Sequence, residues 1–325
     1  MKNDVLLDNL MIAIKEQLPE GKNLAATLAD FLCIGREAAY RRLRGEVPFT
    51  FGEVTTIADK LNISLDAIVG KSREDTIPFY YTALSFADAS DRNYELFKRD
   101  IEAYERSQQD PHSELGMAIN MIPLTFVTKY SHLMRLRCYK WAYQHEGREN
   151  MIPYEKMILP DRFVRLGEAY SKAVEGIRAT YIILDPMVFN YLISDITYFS
   201  DVGLILPGEV TRIKEELLLL LDDLERAAVN GRYDSGNALY LYISNTNFES
   251  TYSYTVYEHG SVSCLSIFTL NVLTSSDETM FCMVKEWVHS LKRLSTLISE
   301  AGEMPRRLFF RKQRELVHQL DHINT

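Results

Sequence analysis

No apolar run in this 325-residue chain approaches the ~18–20 residues that span a bilayer; the longest, such as Leu217 to Leu221, hold only a few. The first 20 residues mix Asp4, Asp8, Lys15 and Glu16 with apolar side chains, and lack the basic start and apolar block of a secretory signal. The expectation is a cytoplasmic protein without a membrane partner. Cysteine is scarce. Cys33, Cys138, Cys264 and Cys282 lie far apart and form no Cys-x-x-Cys pair, which argues against a disulfide framework or a zinc ribbon. Reduced, mostly buried thiols are expected. With 15 Gly and 10 Pro the composition is neither collagen-like nor low-complexity, and no repeat of 20–50 residues recurs.

Catalytic signatures are missing too. There is no Gly-x-Ser-x-Gly elbow and no kinase set. Gly231-Arg232-Tyr233-Asp234-Ser235-Gly236 has the length of a phosphate loop, but Asn237-Ala238 follows where Lys-Ser/Thr is required. His318 and His322 stand four apart without the Glu of a His-Glu-x-x-His site or an evident third ligand. Cys264 lies near His259 in sequence, yet a strand cysteine is more simply a buried one. The expectation is a protein with no cofactor or metal and no enzymatic activity. An excess of basic charge is absent as well: the net charge is −9. That excludes a mostly basic nucleic-acid coat protein but allows a small basic head on an acidic body.

What is present divides near residue 75. Residues 71–78 read as a polar linker closing on Pro78, between an all-α unit at 1–70 and a larger unit at 79–325. The spacing in the first unit predicts five short helices. Leu6, Leu10, Ala13, Ile14 and Gln17 share a face of the first. Asn23 caps the second, which buries Leu24, Leu28 and Phe31 or Leu32. The third runs from Arg36 to Arg44 and stops at Gly45. Thr50 and Glu53 form a capping box for the fourth, with Phe49 and Val54 at the staple positions. Ser64 opens a last short helix containing Leu65 and Ile68.

The third helix is the functional candidate. Ala39 and Leu43 can face the core, which leaves Arg36, Glu37, Tyr40, Arg41 and Arg44 outward. Between Arg36 and Arg44 four arginines stand against one glutamate. An exposed basic helix suits a major groove, where Arg pairs bidentately with guanine or clamps phosphate. The plainer alternative is that charges merely solvate a helix face.

Leu28-Ala29, Ile34-Gly35, Arg41, Arg44-Gly45, Pro48 and the run Ile57-Ala58-Asp59-Lys60-Leu61-Asn62-Ile63-Ser64-Leu65 resemble the phage-repressor-like (Cro/C1, XRE) helix-turn-helix domain over residues 6–69. The resemblance implies a λ-repressor-like fold, with Leu24–Leu32 as the positioning helix and Arg36–Arg44 as the recognition helix. It implies that Arg36, Glu37 and Tyr40 reach base edges, that Arg41 lies near the groove wall, and that Arg44 and the start of the second helix meet phosphate. Two positions depart from the family pattern. Cys33 stands where a turn glycine is common, and Ala25-Ala26 where a glutamine is frequent.

The larger unit reads as α+β, mostly helical, with a small antiparallel sheet. Stripes or caps predict helices around 94–104, 123–144, 161–176, 207–228, 280–298 (capped by Ser275 with Glu278) and 305–320. Strands are expected at 239–244, 252–256 and 262–273, with a shorter one at 180–184 and a turn at His259-Gly260, helices covering one face. Tyr240, Tyr242, Phe248, Tyr252, Tyr254 and Tyr257 could line an effector pocket or simply suit half-buried strands. Arg306, Arg307, Arg311, Lys312 and Arg314 could touch DNA flanks, or belong to a helix that docks its apolar side and keeps its charges in water.

The leading expectation is a sequence-specific transcription regulator on double-stranded DNA. Its larger unit would hold a homodimer and sense an unidentified small-molecule or protein effector. One small head buries only about 600–1,000 Å² on DNA, so two are needed for tight specific binding. The alternatives are a protein-interaction module, an antitoxin or adaptor using the head without DNA, and an enzyme in the larger unit built around Glu258, His259 and Cys264.

Overall fold

The computed structural model describes residues 5–18, 23–61, 63–70, 77–82, 91–257 and 260–324. The chain separates into two compact units, Met1–Pro78 and Phe79–Thr325. Residues 71–76 of the expected linker, and Glu258 and His259 of the enzyme alternative, lie outside the described residues.

The first unit consists of helices α1 (Val5–Gln17), α2 (Leu24–Leu32), α3 (Arg36–Leu43), α4 (Phe51–Leu61) and α5 (Leu65–Gly70). Leu10, Ile14, Leu28, Ala29, Ala39, Ile57 and Ile68 form its core. Side chains the size of Ile14, Leu28 and Ile57, all fully buried, stabilise by about 1.5–3 kcal/mol each. Leu10, Ala13 and Ile14 of the expected α1 face pack on the core, but its two ends do not: Leu6 and Gln17 are exposed, and Met11 and Leu18 pack there as well. A glutamine at the end of the stripe gains nothing from burial, so the helix turns its more apolar side inward.

The second unit begins with β1 (Tyr80–Thr82), α6 (Asp91–Ser107), β2 (Glu114–Ile119), α7 (Leu124–Val127), α8 (Ser131–Glu146), α9 (Asp161–Glu175) and β3 (Ala179–Leu184). It continues through α10 (Val188–Asp201), α11 (Pro207–Asn230), β4 (Ala238–Ile243), β5 (Tyr252–Tyr257), β6 (Gly260–Ile267) and β7 (Asn271–Ser275). It closes with α12 (Glu278–Leu294), β8 (Thr296–Leu297) and α13 (Glu303–His318).

The sheet is neither small nor purely antiparallel. Eight strands run in the order β1-β7-β6-β5-β2-β3-β4-β8. The centre, β2-β3-β4, is parallel, and the other pairs are antiparallel. Parallel neighbours need crossover connections, and here helices supply them. The long stretch expected at 262–273 is two strands, turned by Phe268 and Thr269 in left-handed conformations at φ 47° and 68°.

Helices cover both faces, not one. Ile182, Leu184, Leu239 and Leu241 join the main core with residues of α7 to α11 and α13. Ala118, Ile183 and Tyr254 point the other way, onto Val284, Val288 and Leu291 of α12. Gly116 makes room there: a Cβ on it would lie 2.2 Å from the Tyr254 ring. The Tyr254 hydroxyl donates to Glu114 Oε1 at 2.8 Å and lies 2.8 Å from His289 Nε2. The cap of α12 is Asp277, whose Oδ1 accepts from the Met280 N–H at 3.0 Å, instead of Ser275. No helix among the described residues is long and apolar enough to cross a membrane.

Candidate nucleic-acid interface

The local chemistry of α2, the turn and α3 sets the geometry. Asn23 lies in extended conformation and its Oδ1 accepts from the Ala26 N–H at 3.1 Å, capping α2. Cys33 ends α2 at φ 52°, ψ 43°, the left-handed conformation that glycine adopts without steric cost. Ile34 then returns its N–H to the Ala29 carbonyl at 3.0 Å, and Gly35 opens α3. At its far end, Gly45 at φ 71° completes a left-handed stop. Its N–H bonds the Arg42 carbonyl and the Glu46 N–H bonds that of Arg41, both at 2.9 Å.

On α3, Ala39 is buried and Leu43 packs on the core. Arg36, Glu37, Tyr40, Arg41 and Arg44 are all exposed. The arginines divide into three kinds. Arg42 turns inward and grips Glu53 of α4, with Nε to Oε2 at 3.1 Å and Nη2 to Oε1 at 2.8 Å. Arg44 donates to Glu46 at 2.7 Å and to Glu37 at 3.3 Å, and Glu46 also lies 3.6 Å from Arg41. Arg36, at the helix start, has no acidic partner among the described residues. Arg36 is therefore free to meet an anion or hydrogen-bond acceptor from outside, whereas any such group must compete with Glu46 for Arg41 and Arg44.

Glu53 does two jobs. Its Oε2 accepts from the Thr50 N–H at 2.8 Å while its own N–H donates to Thr50 Oγ1 at 3.2 Å, a complete capping box. The same carboxylate holds Arg42. The Arg42 guanidinium, opposed by partial burial and aided by the Thr50 N–H, pulls the Glu53 pKa below its ordinary value. Spacing predicts the capping box; the Arg42 clamp was missed. The available signal was that Arg42 lies three residues after Ala39, on the inward side.

Other sequence candidates scatter. Arg306 is buried and donates to the Ile298 and Glu300 carbonyls, both at 3.0 Å. Arg307 and Arg311 pair with Glu303 and Glu315 along α13, and Arg314 bonds Asp222 and Glu225 of α11. Phe309 and Phe310 are buried between them. Most of the aromatic strand residues instead converge on a packed core, where Tyr242 and Tyr252 pack against Phe248 and Tyr254. Tyr254 and Phe248 are core, and Tyr240 stacks on Tyr181 with centroids 5.0 Å apart. Burial raises the Cys264 and Cys138 thiols to about 12, so neither is a thiolate at neutral pH. Cys33 and Cys282 are exposed, contrary to the expectation of mostly buried thiols. Cys33 ends α2 in the turn, and Cys282 lies on the side of α12 turned away from the buried Val284, Val288 and Leu291.

A capped helix, a tight left-handed turn and a second helix with its charged face in water make the first unit a helix-turn-helix-like domain. Residues 3–95 match the family model described as the BetR domain, a small N-terminal domain known as helix-turn-helix-like. The match ends within α6, and residues 96–325 lie outside it. No curated protein and no solved structure matches the chain.

Proposed function

We propose that the protein is a cytoplasmic, sequence-specific DNA-binding transcription regulator of the phage-repressor-like (Cro/C1, XRE) type. In this reading α3 enters the major groove, and Arg36, Glu37 and Tyr40 read base edges. Arg41 lies at the groove wall, and Arg44 with the first turn of α2 meets phosphate. The second unit holds two copies together and carries no catalytic role. The observation that carries the reading is the exposure of all five outward side chains of α3 while Arg42 and the Schellman-type stop fix the helix in place. A rigid reader with a free guanidinium at its leading end is what direct readout requires.

Binding of full-length protein to a selected site and to random duplex, across several salt concentrations, tests the roles. Arg36→Ala is expected to lower affinity for the selected site by about 5- to 100-fold and leave random DNA nearly unchanged. Arg44→Ala is expected to weaken both alike and flatten the salt dependence by about one counterion. Equal losses on both DNAs from Arg36→Ala would remove its assigned role. The runner-up, a protein-interaction head, draws on the same Glu37–Arg44–Glu46–Arg41 network, which occupies two cations; it predicts no salt-dependent DNA binding at all.

A further inference from the structure

On the face of the sheet that carries α12, that helix buries Val284, Val288 and Leu291. One flank of α12 is basic. Lys285 lies 3.2 Å from Glu114, and Lys292 sits 4.0 Å over the Tyr181 ring. The other flank is apolar and open: Met283, Trp287 and Leu294 are 57%, 47% and 63% exposed. They lie four and then seven residues apart, and Ser290 falls in the same line three residues after Trp287. That alternating three-and-four spacing is the seam of a two-helix coiled coil. Beside the seam stand Glu286 and Arg293, seven residues apart and exposed. Neither has an ion-pair partner among the described residues.

We propose that this flank of α12 is a self-docking surface, where α12 packs antiparallel against α12 of a second copy of the chain. A two-fold axis between Val288 and His289 sets Trp287 against Ser290, and Met283 against Leu294, of the second copy. The flanking position in that register brings Glu286 against Arg293 of the second copy, twice by symmetry. A parallel pairing would stack Trp287 on itself and leave both charges unmatched. Pairing through the opposite flank would bring Lys285, His289 and Lys292 against their own copies. The charge pattern therefore selects one flank, one direction and one register. The proposal deepens the dimeric reading above and rests on it only for the reason two copies should meet; the pairing is measured without DNA.

The test is sedimentation equilibrium of the full chain over a concentration series, with circular dichroism to show that each variant stays folded. Wild type is expected to dimerise. Leu294→Glu is expected to weaken the dimer by at least about tenfold, since it places a carboxylate in the seam. Glu286→Arg and Arg293→Glu singly are expected to weaken it severalfold by setting like charges opposite, and the double reversal to restore it. A monomeric wild type, a dimer indifferent to Leu294→Glu, or a double reversal no tighter than the singles would overturn the proposal. Loss of DNA recognition with an intact dimer would count against the regulator reading alone.

Discussion

Cys33 occupies a position that most residues avoid. With φ at 52° it is a non-glycine residue in the left-handed region, and it is exposed, so no packing compensates. Cys33→Gly is expected to stabilise the first unit by about 0.5–1 kcal/mol, the relief of Cβ strain less the greater freedom of an unfolded glycine. A thermal melt would register a rise of a few degrees; an unchanged or lower midpoint would show that the turn carries no strain. Glu46 is a second residue with a directional effect. It holds Arg44 and Arg41 where phosphate would have to take its place. Glu46→Gln is expected to tighten DNA binding severalfold at low salt, and less as salt rises. Fluorescence anisotropy at two ionic strengths decides it, and weaker binding would contradict the assignment of that end of α3 to phosphate.

Among the elements, the α3–α4 clamp and strand β2 matter most. Because Arg42 depresses the Glu53 pKa in the folded state, the pair stabilises at neutral pH. That contribution is lost as pH falls through the ordinary carboxylate range toward the folded value. Glu53→Gln is expected to cost about 1 kcal/mol at pH 7 and progressively less as pH falls through and below the ordinary carboxylate range, seen as converging melting curves. In β2, Gly116→Ala pushes a methyl into the buried Tyr254 ring, and a loss of about 1–3 kcal/mol in denaturant unfolding is expected.

The elements also differ in how openly they are written in sequence. Helices α2 to α4 announce themselves through Asn23, Gly45 and the Thr50–Glu53 box, which are local signals. Strand β2, Glu-Leu-Gly-Met-Ala-Ile, is buried on both faces and does not alternate, so nothing in its pattern marks a strand. Helix α10, rich in Ile, Tyr and Phe, likewise carries no cap signal. The β6–β7 hairpin turns on Phe268 and Thr269 without the glycine that usually betrays such a turn. The outward face of α3 was readable from Ala39 and Leu43. The partners of its arginines were not, because Glu46 and Glu53 select among them only in three dimensions.

For the molecule as a whole, the chain divides into a head of some 70 residues and a larger unit with an eight-stranded sheet; in the proposed reading the first contacts DNA and the second pairs the copies. Their cooperation rests on whether α3 reads bases. Selection of bound duplexes from a random-sequence pool, run with wild type and with Arg36→Ala, addresses this directly. Wild type is expected to enrich a palindrome whose half-sites are centred about one helical turn, roughly 10 bp, apart. The variant should enrich the same spacing with base preference erased at one position in each half-site. Enrichment of no motif by wild type, or an identical motif from both proteins, would contradict the account.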